Sequence, residues 1–92
     1  MKSKYVVGLV RCDDRFKFTR GAVVFPEFVN HSEMARRMFR EVESAGFVQI
    51  YSAEDSPNSP RVVCYGKSES LKLESNPEVD TFLVRQALGL EY

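Results

Sequence analysis

His31 is the only histidine in the chain, and its position makes it a chemical candidate. It follows Asn30, a good helix N-cap, and so falls in the first turn of a predicted helix. The positive end of a helix dipole disfavours imidazolium and favours an anion nearby. A neutral imidazole beside an anion is what a nucleophile or general base acting on a phosphate needs. The plainer account is a solvent-facing histidine in a first turn. Gly66-Lys67-Ser68 follows a predicted strand and ends like a phosphate-binding P-loop. The first glycine of that motif would fall on Arg61, however, and no convincing helix begins after Ser68. A small nest of backbone N–H groups is what remains of that reading. Cys12 and Cys64 form no C-x-x-C pair, and one histidine is too few for a metal-ligand set. No cofactor motif and no metal site are expected.

These residues are positioned by one stretch, Asn30 to Phe47. Glu33 stands where a capping-box carboxylate reaches back to the cap, and Val29 and Met34 flank it as a hydrophobic staple. Met34, Ala35, Met38, Phe39, Val42 and Ala45 recur at helical spacing and predict one apolar stripe, with Met38, Phe39 and Val42 buried against a sheet. Gly46 fits the left-handed C′ position, and Phe47 can fold back on the last turn. Arg36, Arg37 and Arg40 form a basic band on this helix. Glu33, Glu41 and Glu43 interleave with them and compensate much of the charge.

Around that helix, Tyr5 to Cys12 and Phe16 to Val24 read as two strands of an antiparallel hairpin, turned at Asp13-Asp14. Phe47 to Tyr51 and Arg61 to Tyr65 read as shorter strands. Ser52 to Pro60 is polar and proline-punctuated and reads as a mobile loop. Gly66 to Ser75 is either an edge strand or an ordered loop. A second helix starts at Asn76, with Pro77 at its first position and Glu78 and Asp80 complementing the dipole, and stops at Gly89. The expected fold is α+β: ββαββα order, with a mostly antiparallel four-stranded sheet and both helices packed on one face. Residues 1–92 read as one domain without repeats or linkers.

Composition narrows the function classes. Thirteen Lys+Arg balance thirteen Asp+Glu, which removes the usual basis for non-specific nucleic-acid binding but leaves room for a local basic patch. The strand aromatics Tyr5, Phe16, Phe18, Tyr51 and Tyr65 are then best read as core packing and cross-strand pairs, and no nucleic-acid partner is expected. No apolar run approaches the ~20 residues of a membrane span, so no membrane partner is expected either. With no signal-peptide pattern, the thiols point to the cytoplasm.

In order along the chain, Lys4-Tyr5-Val6, Arg20-Gly21, His31, Gly46 and Tyr65-Gly66-Lys67-Ser68 resemble the Janus family, whose enzymatic member is a protein-histidine phosphatase. The resemblance implies a small α+β fold in which Lys4, Arg20 and Ser68 bind phosphate. It implies that His31 takes the phosphoryl group or activates water, with a phosphorylated protein as substrate. The competing expectation is a non-catalytic interaction module that contacts another protein through an edge strand or the Ser52–Pro60 loop. The residues themselves do not specify an oligomeric state.

Overall fold

A computed structural model describes residues 2–11, 17–53 and 56–90, with the side chains of 52–60 left aside. The elements run β1 (Lys2–Arg11), β2 (Phe18–Phe25), α1 (His31–Met38), β3 (Phe39–Ala53), β4 (Ser56–Tyr65), β5 (Lys67–Ser68), β6 (Leu73–Glu74) and α2 (Pro77–Ala87). β2, β1, β3 and β4 form, in that order, one antiparallel sheet. The fold is therefore α+β, with four sheet strands and two helices, as expected. The expected hairpin is present, in register from Lys4 opposite Phe25 to Arg11 opposite Phe18. Its turn, with Cys12, Asp13, Asp14 and Phe16, lies outside the described residues.

The helix expected over Asn30 to Phe47 ends at Met38, and the chain enters β3 at Phe39 with no intervening loop. The Asn30 cap is as read, its side chain accepting the Ser32 N–H, while the Glu33 carboxylate lies 3.6 Å from Arg37 along the helix. Its apparent continuation has a different origin. Two register shifts interrupt the pairing of β3 with β1, so Phe39, Val42 and Ala45 face Val10, Gly8 and Val6 in turn. Each bulge adds one residue to β3, so side chains three apart share a face. Phe39, Val42 and Ala45 thus pack together at a spacing that imitates a helix. Met38, expected in the core, is exposed at the helix end, while Phe39 and Val42 are half-buried.

Gly8 and Gly46 serve this arrangement. A Cβ on Gly8 would stand 2.0 Å from the Glu41 carbonyl oxygen, at the bulge. A Cβ on Gly46 would stand 2.5 Å from the Tyr65 carbonyl oxygen, where β4 leaves the sheet. Gly46 is therefore needed for close backbone approach inside a strand, and not as a helix terminator.

The helices do not share a face. Tyr5 and Val7 pack with Leu83 and Val84 of α2, whereas Val6 between them packs with Phe25, Ala45 and Met34 of α1. Successive strand residues point to opposite faces, so α1 and α2 lie on opposite sides of the sheet. The cause is in β1: Tyr5, Val6 and Val7 are all fully buried. An unbroken apolar run is the mark of a strand covered on both sides.

Strand structure also replaces the expected loop. β3 runs to Ala53 and β4 begins at Ser56, with Ala53 opposite Ser56, so most of Ser52 to Pro60 is strand; residues 54–55 lie outside the described set. Gly66 to Ser75 resolves into a short hairpin, β5 with β6, whose turn includes Lys72 at φ 56°. This hairpin adds two short strands to the expected order, and Leu71 and Leu73 join the α1-side core.

α2 closes with the Gly89 N–H on the Gln86 carbonyl and the Leu90 N–H on the Arg85 carbonyl, a Schellman pattern with Gly89 at φ 75°. Asp80, read as a first-turn acid complementing the dipole, stands in that turn and is buried. It accepts hydrogen bonds from Tyr5 Oη, from Ser44 Oγ at 2.7 Å and from the Asn76 N–H at 2.7 Å.

Candidate functional site

The α1 side of the sheet is only partly covered. α1 and the β5–β6 hairpin lie over the half that carries Val6 and Ala45. Along the other half, uninterrupted register sets the neighbours. Lys4, Phe47 and Tyr65 form one row across β1, β3 and β4; Lys2, Gln49 and Val63 form the next; Tyr51 and Arg61 form the last. The intervening residues Val48, Ile50, Val62 and Cys64 belong to the α2-side core. Tyr51 is 52% exposed and Tyr65 37% exposed. Phe47 underlies this surface: its ring stacks against Tyr65 at 6.0 Å, and Lys2 Nζ sits 4.7 Å from its centroid. Lys2 also meets Glu27 at 3.6 Å, an exposed pair of little energetic weight.

Where this surface meets α1, a hollow of about 490 Å³ is lined by Lys4, Asn30, His31, Phe47, Lys67, Glu69 and Ser70. Lys4 Nζ donates to the Val29 carbonyl at 2.9 Å, which holds the ammonium at the entrance of α1. His31 is buried between the edges of Phe25 and Phe47. Its Nε2 lies 2.8 Å from the Gly46 carbonyl oxygen, one residue beyond the last β3–β4 pair. A carbonyl can only accept, so Nε2 carries the proton, and in the neutral ring Nδ1 has the lone pair. Burial holds the imidazole below its ordinary pKa; the Gly46 bond opposes this, and the nearby Lys4 charge adds to it. The direction agrees with the sequence reading, but its main cause is desolvation and not the helix dipole.

The four residues singled out for phosphate chemistry do not converge. Lys4 and His31 line one hollow. Ser68 is buried behind it: its Oγ accepts the Leu71 N–H at 3.2 Å and lies 3.3 Å from Ser70 Oγ. Ser70 Oγ in turn accepts the Ser32 N–H at 3.3 Å, which ties the hairpin to the start of α1. Ser68 therefore shapes the hairpin turn. Arg20 pairs with Leu9 while Phe25 pairs with Lys4, five residues apart along β1, or about 17 Å. The Arg20 Nε is bonded at 2.8 Å to Glu43. It is remote from His31 because the hairpin runs the full length of the sheet.

Sequence reasoning passed over Lys2, Tyr51, Arg61, Tyr65 and Lys67 as a group. The signal was present in the alternation of Phe47, Gln49 and Tyr51 with Val48 and Ile50. The same alternation sets Arg61, Val63 and Tyr65 against Val62 and Cys64. Tyr5, Tyr51 and Tyr65 were expected in core packing and cross-strand pairs; Tyr5 is buried and Tyr65 stacks across the strands on Phe47, but Tyr51 and Tyr65 are both exposed. Among the described residues no cluster of His, Cys, Asp or Glu is arranged to hold a metal ion, and no helix is long and apolar enough to cross a membrane. No protein-family model, curated protein or solved structure matches the chain.

Proposed function

We propose that this chain is a non-catalytic binding module whose contact surface is the half-sheet around Tyr51 and Tyr65. One observation carries the reading: exposed aromatic side chains and the cations Lys2, Lys4 and Arg61 lie together on strands backed by the α2 core, with Lys67 of the β5–β6 hairpin at the adjoining hollow. Exposed aromatics set among cations are typical of surfaces that recognise a partner. A cytoplasmic location fits Cys64, a free and buried thiol whose pKa burial pushes up to about 11.

A phosphohistidine-phosphatase-like activity on a phosphorylated protein is the second reading. It is favoured by the hollow that Lys4, His31 and Lys67 share. It is disfavoured by the bond from His31 Nε2 to Gly46 and by the pairing of Arg20 with Glu43 far from the hollow. The test is release of phosphate from a histidine-phosphorylated protein by the wild type and by His31→Ala. The module reading expects no release above the uncatalysed rate from either. Release by the wild type that His31→Ala abolishes would establish the phosphatase instead.

A further inference from the structure

Taking the module reading as its basis, we infer that the half-sheet binds single-stranded nucleic acid, with bases stacked on Tyr51 and Tyr65 and phosphates drawn to Lys2, Arg61 and Lys67. The geometry has three parts. Tyr51 and Tyr65 point from adjacent strands to the same face, four residues apart along the β3 ladder, or about 13 Å. That separation suits two stacking positions on one extended strand, not a single planar ligand. Both rings are exposed; Tyr65 stacks on Phe47 with one face, which leaves its other face for a base.

The second part is charge. Arg61 is in register with Tyr51, and Lys4 with Phe47 and Tyr65; Lys2 lies in the row between. Lys67 lines the hollow that continues the surface toward α1. The described carboxylates bordering this region are Glu27, beside Lys2, Glu69, on the far wall of the hollow, and Glu74, in register with Lys67 on β6. The neutral total of the chain therefore conceals a face on which cations outnumber acids among the described residues. Aromatic platforms beside cations are how sequence-tolerant single-strand binders work, because every base has a π-face and every linkage a charge.

The third part is shape. A duplex would present stacked, unavailable bases to the tyrosines, whereas a single strand can splay its bases onto a sheet. Protein ligands supply aromatic and anionic groups too, but seldom at a repeating interval; a polynucleotide supplies both at every residue.

The experiment is fluorescence anisotropy of the full chain with a labelled twelve-residue oligo-dT, oligo-U and the corresponding duplex, across a series of salt concentrations. Expected are binding to both single strands, markedly weaker binding to the duplex, and roughly ten-fold loss or more for Tyr51→Ala and for Tyr65→Ala. Tyr51→Phe keeps the ring and should retain binding. Arg61→Gln should flatten the plot of log affinity against log salt by about 0.7 for the lost phosphate contact. All these side chains are exposed, and unchanged thermal melts will show that the variants fold. Absent binding, or binding that ignores the tyrosine substitutions or favours the duplex, overturns the inference. A protein ligand that competes at Tyr51 and Tyr65 while oligonucleotides do not bind overturns it too, yet leaves the module intact. The module fails separately, on His31-dependent phosphate release.

Discussion

The two faces of the sheet use the same strands for opposite ends. On the α2 side, Tyr5, Val7, Val48, Val62 and Cys64 close against Leu83 and Val84, and Asp80 satisfies the Tyr5 phenol, the Ser44 hydroxyl and the Asn76 N–H. On the α1 side the buried apolar cluster among the described residues is smaller, Val6, Phe25 and Ala45 ringed by half-buried neighbours, and the sheet beyond it carries aromatics and cations. A small domain has limited apolar surface to bury. Placing the larger buried cluster on one side leaves part of the other side free for recognition.

The first way to break this comparison is Asp80→Ala, for which the largest effect is expected. Its carboxylate is the acceptor for Tyr5, Ser44 and the start of α2 at once. Removal leaves a buried phenol and a buried hydroxyl without that partner, at a cost of about 3 kcal/mol or more. In the wild type, burial and the Asp80 bond push the Tyr5 phenol far above its ordinary pKa, so the group left without its partner is a neutral O–H donor. Equilibrium urea unfolding measures the loss. A near-neutral variant would mean that the α2 side does not dominate stability.

The next effect concerns the bulges on the α1 side. Gly8→Ala sets a methyl against the Glu41 backbone and should cost roughly 1–3 kcal/mol, as overpacking does. Gly21→Ala is the control, because its Cβ would meet only Val10 Cγ2 at 3.8 Å, an ordinary contact. Thermal melts of the two variants should separate clearly. Equal melting temperatures would show that the strands can slide to relieve the clash, and that the half-sheet is less rigid than its proposed role requires.

Those glycines also show what was legible before the structure. The strand pairing of β1 with β2, the Asn30 cap and the limits of α2 could be read because each rests on local chemistry: alternation, a capping side chain, Pro77 and Gly89. The second half of the expected helix was misread because two bulges give Phe39, Val42 and Ala45 a period of three, which sits close to 3.6 and far from 2. Gly46 was misread with it, since a glycine after a periodic run looks like a helix end. At the site, Lys4 and His31 came together because both stand where β1 and α1 begin at one end of the sheet. Arg20 did not, because strand length decides which end it occupies. The cross-strand contact of Tyr65 with Phe47 is legible in the strand aromatics, but the exposure of Tyr51 and Tyr65 is not, because letters alone do not tell which face of a sheet a helix will cover. Asp80 carried no local signal at all; a first-turn acid looks the same whether it faces water or a buried tyrosine.

The smallest expected effect tests whether His31 belongs to the α1-side core or to a reactive site. Its pKa is lowered in the folded chain, chiefly by burial. The unfolded chain therefore takes up a proton near 6.5 while the folded chain still resists it. Stability rises with pH wherever the unfolded state holds more protons. The contribution of neutral His31 is thus fully present above about pH 6.5 and is lost as pH falls through the lower folded value. His31→Gln keeps an N–H donor for the Gly46 carbonyl and removes the titration. The difference in unfolding free energy between wild type and His31→Gln, followed from pH 7.5 down to pH 5, should shift steadily against the wild type, since carboxylate titrations common to both cancel. A flat difference would mean that the ring takes up its proton in the folded chain as easily as in water. The imidazole would then be reachable by solvent and phosphate, and the hollow beside Lys4 would regain its claim to chemistry.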